Sequence, residues 1–185
     1  MQRSPSWKHS VPPLDSITAL GRLLRDGPLR DAYAAAPLRT LEALGVAAED
    51  RGPLLDLDPA GLETQARVLL RKRFDAVSRL IPATLANLGE LAWPSFAEYA
   101  RAFWPAGPAS TLEDGEAFSR RLCGTHPHAV SRSDQNRLRF ARQGKRVGLH
   151  FARDLPFRGG RRAGLQLLWR RPSGQWRELA LHLAC

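Results

Sequence analysis

The chain has 185 residues, of which 43% are hydrophobic, and its 28 Lys and Arg outweigh 18 Asp and Glu to give a formal net charge of +10. That is enough apolar material for a packed core, in one larger domain or two small ones. No apolar run approaches the ~20 residues of a bilayer span, and no secretory signal is visible.

In chain order, residues 1–13 are polar and hold three prolines, which reads as a disordered arm. Asp15 or Ser16 caps a helix with Ile17, Leu20, Leu23 and Leu24 on one stripe, stopped by Gly27-Pro28. Pro28 opens a second short helix through Ala36. Pro37 opens a third, with Leu38, Leu41 and Leu44 on one face and Gly45 as its left-handed stop. A turn of helix is expected near Leu54. Asp58-Pro59 is the best local signal: a cap, then proline at the first helical position, then a periodic run to about Leu80. Leu62, Ala66, Leu69, Leu70, Phe74, Val77 and Ile81 form its buried stripe, and Arg67, Arg71, Lys72 and Arg79 lie off it. Pro82 starts another helical piece ended by Gly89. Trp93-Pro94 reads as extended, and Ser95 with Glu98 as a capping box for a helix over Phe96–Phe103. Gly107-Pro108 is a break, and Thr111 or Asp114 starts a helix with Phe118 and Leu122 inward. Residues 124–135 read as loop, and Asp134 caps a short basic helix through Arg142.

After Gly144 the apolar period changes from 3.6 to 2. Val147, Leu149 and Phe151 alternate with Gly148 and His150. Leu165, Leu167 and Trp169 alternate with Gln166 and Leu168, and Leu179, Leu181 and Leu183 alternate with Ala180 and His182. Pro172-Ser173-Gly174 fits a three-residue hairpin loop. The expected class is therefore α+β. A multi-helix region over 14–123 precedes an antiparallel sheet of about three strands within 124–185.

Sites for chemistry are sparse. Cys123, His126 and His128 supply three potential metal ligands in six residues, but zinc sites use four ligands in spaced pairs, and the only other cysteine is Cys185, far along the chain. The stretch reads as a loop with incidental histidines. His150 and His182 sit at the polar positions of strands, where a histidine faces solvent. There is no nucleophile elbow, no glycine-rich phosphate loop and no carboxylate pair for acid–base work. The expectation is no catalytic residue, metal or cofactor in this chain. Cys123 and Cys185, the only cysteines, either bridge or stay reduced; a lone pair in a chain of this size reads as reduced and cytoplasmic.

The charge is the stronger signal. Residues 115–185 hold 15 Arg and Lys against 4 Asp and Glu, a net of +11, while residues 1–114 hold 13 against 14, a net of −1. A packing front and a basic back that meets something acidic is the natural reading. Fourteen of those 15 are arginines, suited to planar bidentate contacts, although Lys-poor usage also matches GC-rich bacterial coding. Arg137, Arg139, Arg142, Lys145 and Arg146 make one cluster. Arg158, Arg161, Arg162, Arg170, Arg171 and Arg177 make a second, interleaved with Trp169 and Trp176. Three readings stay open: a nucleic-acid surface of arginine and aromatics, a solvated basic face, or a sheet edge that accepts an extended acidic peptide as an added strand.

The order of helical motifs carries a resemblance. Leu24-Arg25-Asp26-Gly27 through Leu29-Arg30, then Leu57-Asp58-Pro59-Ala60-Gly61-Leu62 through Arg73, then Ile81-Pro82-Ala83-Thr84, then Phe96-Ala97-Glu98-Tyr99-Ala100 span about residues 14–122. Together they resemble the small partner proteins of methanobactin-type multinuclear non-heme iron oxidases, some of whose relatives are labelled putative DNA-binding domain. The resemblance implies a non-catalytic subunit that docks a TIM-barrel iron oxidase through its helices. It also implies that the subunit presents the leader of a precursor peptide by strand addition to its sheet, for modification of cysteine. The iron would belong to the oxidase. On that basis Arg161, Arg162, Leu165, Leu167, Trp169, Arg170, Arg171, Trp176 and Arg177 are candidate peptide-binding residues. Arg67, Arg71, Lys72 and Arg79 are candidate docking residues. A DNA- or RNA-binding regulator is the alternative, and no membrane partner is expected.

Overall fold

The structure, a computed structural model, describes residues 13–105, 107, 109–157, 160–173 and 175–182. The expected N-terminal arm, apart from Pro13, lies outside them, as do Arg158, Gly159, Gly174 and Cys185. The chain forms two compact units that divide at Arg67/Val68.

In the first unit one cap, Asp15, is as expected, and a second, Asp26, is additional to those expected. Asp15 caps α1 (Ser16–Arg25) by accepting from Thr18 N at 2.6 Å, and Asp26 caps α2 (Gly27–Ala35) by accepting from Leu29 N at 3.0 Å. The third helix, α3 (Pro37–Ala43), begins on its proline and stops before Gly45, whose φ of +76° suits glycine. A 3-10 turn at Ala48–Asp50 leads into α4 (Arg51–Leu55). Ala19, Leu23, Tyr33, Leu41, Val46, Leu54 and Leu62 make the core. Buried Arg30 donates to the carbonyls of Leu23 and Leu24 (both 3.1 Å), orphans at the end of α1, and to Glu63 at 2.8 Å. Ile17 and Leu38, expected on buried stripes, are exposed. At ~100° per residue Ile17 lies far round the helix from Leu23, and the phase follows Ala19 and Leu23.

Asp58 caps α5 (Pro59–Ser78) with both carboxylate oxygens, accepting from Ala60 N (3.1 Å) and Gly61 N (2.8 Å). In the second unit Leu70, Val77 and Ile81 join a core with Leu85, Phe96, Tyr99, Phe118, Leu122 and Leu138, its rings packed edge to face. The helix α6 (Pro82–Leu88) passes through a 3-10 turn at Gly89–Leu91 into α7 (Ala92–Ala100). Trp93-Pro94 is therefore helical, not extended, and Ser95 with Glu98 forms no capping box. Pro94 sits in the first turn, where a missing N–H removes no hydrogen bond. Then come α8 (Ser110–Thr125), with Phe118 and Leu122 buried as expected, a 3-10 turn at Pro127–Ala129, and α9 (Arg132–Gln143). The stretch expected as loop over 124–135 is thus largely helical. The cap of α9 is Ser131, which accepts from Asp134 N at 3.3 Å, and Asp134 is a buried residue inside the helix.

The strands β1 (Val147–Phe157), β2 (Gly160–Arg170) and β3 (Trp176–His182) form an antiparallel sheet in the order β1-β2-β3. The α+β class and the three strands are as expected. Which face is inside is the reverse of the usual reading of alternation. Leu168, Ala152, Leu155 and Gln166 are fully buried, whereas Val147, Leu149, Phe151, Leu179 and Leu181 are exposed. The inner face mixes Leu155 and Leu168 with small or polar residues, Gly148, Ala152 and Gln166, and α9 lies against it at β1 and β2. Gly148 marks the closest approach. A Cβ there would stand 2.9 Å from the ring of Phe140, which is 1% exposed, and 2.8 Å from His150 Nε2. Gly148→Ala is expected to destabilise by about 1–3 kcal/mol through overpacking, seen as a lower urea midpoint; an unchanged midpoint would refute this packing.

Candidate functional site

The first turn of α9 is fastened on three sides. Asp154, at the bulge of β1, accepts from Arg132 N (2.9 Å) and Ser133 N (3.2 Å), satisfying two orphan donors. Thr84 Oγ1 accepts from Ser131 N at 3.0 Å, and Asp134 accepts from Thr84 N at 2.6 Å, so α6 and α9 cap each other. Burial pushes the Asp134 carboxyl above its ordinary pKa, opposed by the Thr84 N–H and by Arg137. Deeper in, Gln166 donates to Ser133 O (3.1 Å) and Glu178 (2.9 Å), and Asn136 donates to Gln166 (3.0 Å) and Phe151 O (3.3 Å). Arg137 pairs with Asp134 and with Glu178 (2.6 Å).

A groove of about 620 Å³ runs between α9 and β1, lined by Arg132, Asn136 and Arg139 from the helix and Leu149, His150, Phe151 and Arg153 from the strand. Arg132 and Arg139 are seven residues apart and share a helix face. Among the described residues, none of Arg132, Arg139 and Arg153 has a carboxylate partner. His150 reports the result. Its pKa is lowered by burial and then by the positive charges of Arg139, Lys145 and Arg132. Far from facing solvent as an isolated strand histidine, it is half-buried in a positive groove. β1 is an edge strand, so its outward backbone groups border this groove. The arrangement offers main-chain pairing, charge for carboxylates or phosphates, and apolar contacts to Leu149 and Phe151.

The other basic residues have different fates. Arg137, from the first expected cluster, is neutralised internally, and Arg142 pairs with Glu116. Arg161 donates to Ala83 O (3.1 Å), Arg170 donates to Ala141 O (2.9 Å), and Arg162 stacks over Phe157 at 5.2 Å. Arg171 and Arg177 are exposed, and Trp176 is half-buried. Leu165, Leu167 and Trp169 lie half-buried on the central strand β2, which has no free edge to offer. Of the docking candidates, Arg67, Arg71, Lys72 and Arg79 are all exposed; Arg71 pairs with Asp75 at 3.5 Å and packs over Trp93 at 5.2 Å. Sequence reading missed Arg132, Asn136 and Arg153. The i, i+7 spacing of Arg132 and Arg139 was the available signal.

Cys123 is a free, exposed thiol on α8, and among the described residues no group of three His, Cys, Asp or Glu is placed to hold a metal. No helix among the described residues is long and apolar enough to cross a membrane.

The molecule is thus an α+β protein with a basic groove along a sheet edge. Residues 51–124, less than half of the chain, match the family described as SCO6045-like, C-terminal domain. That segment runs from α4 into α8 and stops short of the groove. No curated protein and no solved structure matches the chain.

Proposed function

We propose that this chain is a non-catalytic, cytoplasmic recognition subunit that holds the acidic leader of a precursor peptide and presents it to a multinuclear non-heme iron oxidase for cysteine modification. The observation behind this reading is the edge of β1, unpaired among the described residues, beside a groove whose three arginines have no carboxylate partner among them. An extended leader would add as a strand to β1, with its Asp and Glu side chains meeting Arg132, Arg139 and Arg153. The exposed Arg67, Arg71, Lys72 and Arg79 are the candidates for docking the oxidase, whose barrel would hold the iron.

Nucleic acid is the second reading, because the same arginines suit phosphate. The exposed side of the sheet argues against it: it is mostly Leu and Val, where single-strand platforms present stacked aromatics.

The test is a binding series with the purified chain, its neighbouring oxidase, the precursor peptide and single- and double-stranded DNA and RNA. Complex formation with oxidase and precursor at micromolar concentration is expected. Arg139→Glu and Arg153→Glu should weaken the peptide by roughly tenfold or more. An acidic peptide in the groove adds negative charge beside His150, so its pKa should rise on binding, and affinity should increase as pH falls through that range. Absence of a complex and of any effect on precursor modification sinks the proposal. Nucleic-acid retardation abolished by the same substitutions would replace it with the second reading.

A further inference from the structure

Among the described residues, the face of the sheet turned away from α9 is an unpartnered apolar surface built in three cross-strand rows. Val147 pairs with Trp169 and Trp169 with Arg177; Leu149, Leu167 and Leu179 form the second row; Phe151, Leu165 and Leu181 form the third. Val147 and Leu149 are each 60% exposed and Phe151 49%. A hydrophobic surface this continuous is the mark of an interaction site. Its dimensions limit the occupant. Three strands at their usual spacing are about 10 Å across, and three alternate positions along a strand cover about 14 Å. That is the width of one α-helix and the length of about ten helical residues. Its charge limits the occupant further. Arg177 stands in the first row, and Lys145, Arg146 and Arg171 adjoin the ends of β1 and β2, all without a carboxylate partner among the described residues. All four stand at one end of the sheet, so a second copy packed face to face with its strands in the same sense would bring like charges together, whereas a helix acidic over that end would pair them.

We infer that the open face of the sheet is a docking surface for one amphipathic helix of a partner protein, apolar along a stripe and acidic at the end that lies over Arg177. This goes beyond strand addition at β1: it uses the face of the sheet where the other uses its edge.

The probes are two designed helical peptides of about 18 residues with the same leucine stripe, one with Glu and one with Lys around one end of it. Fluorescence anisotropy against the full chain should show micromolar binding of the Glu peptide and much weaker binding of the Lys peptide. Leu179→Ser with Leu181→Ser, at exposed positions outside the groove, should weaken the Glu peptide by roughly tenfold or more, and Arg177→Glu should also weaken it. Circular dichroism confirms that the variants fold. Sedimentation equilibrium should give a monomer. Binding of neither peptide, equal binding of both, or binding untouched by the leucine substitutions overturns the inference. A dimer dissolved by those substitutions would assign the face to a second copy. Arg139→Glu and Arg153→Glu, which test the groove, should leave the Glu peptide's affinity unchanged, so the two proposals fail separately.

Discussion

Replacing Asp114 by alanine is expected to lower the unfolding free energy by about 3–5 kcal/mol, the usual cost of stranding a buried partner charge. Asp114 is 2% exposed and takes a bidentate pair from Arg73, Nε at 2.8 Å and Nη2 at 2.5 Å. The Tyr99 hydroxyl also donates to it at 3.1 Å. Burial, and then the Asp114 charge, push the Tyr99 pKa far above its ordinary value, so that hydroxyl stays protonated and donating. On the other side Arg73 donates to Phe103 O (3.0 Å) and lies 4.3 Å over the ring of Trp104. With its side chain only 11% exposed, the guanidinium would be left largely buried without a counter-charge. Asp114→Asn should cost less, because an amide oxygen still accepts. The double replacement Arg73→Met with Asp114→Leu should recover much of the loss, since an apolar pair of similar volume removes both desolvation penalties. Urea denaturation checks all three; an Asp114→Ala loss below about 1 kcal/mol would show that the pair is not buried in solution.

The second large effect is at Asp134. Asp134→Ala removes the acceptor for Thr84 N and one of the two carboxylates of Arg137, while Glu178 remains. The expected loss is about 2–3 kcal/mol, the range for one unsatisfied buried donor plus one charge-assisted bond. Burial favours the neutral carboxyl here, so Asp134→Asn, with an acceptor oxygen for Thr84 N, should be milder. Amide exchange localises the effect: Thr84 N–H should lose protection in Asp134→Ala before the core of α8 does. Equal loss across the second unit would contradict a local clasp.

Where local chemistry decides, the sequence was readable. Asp58-Pro59, Asp15, Gly45 and the change of period after Gly144 all reappear as caps, stops and strands, because each depends on its own few residues. Trp93-Pro94 misled because the preference of a pre-proline residue for extended backbone yields when proline falls in a first turn. Asp134 misled because a carboxylate next to an N-terminus looks like a cap; only the fold shows it capping α6 instead of its own helix. The groove was the least legible part. Its arginines come from α9 and β1, and their freedom follows from which other arginines already have partners. Arg137 and Arg139 are two residues apart with opposite fates, one tied to Asp134 and Glu178 and the other open to the groove.

The hydrogen-bonded row of Asn136, Gln166 and Glu178 also settles a question of register. On hydrophobicity alone the sheet is inside out: sliding β2 by one residue would turn Leu165 and Leu167 inward and send Gln166 to solvent. Transfer of apolar surface would reward that slip. What opposes it is directional. Gln166 has three partners, Asn136, Ser133 O and Glu178, only when β2 sits as it does, and a leucine in its place would leave a bond of buried Asn136 unmade and take a donor from half-buried Glu178. The polar row therefore works as an indexing key, selecting one of two near-degenerate pairings and keeping the leucines outward.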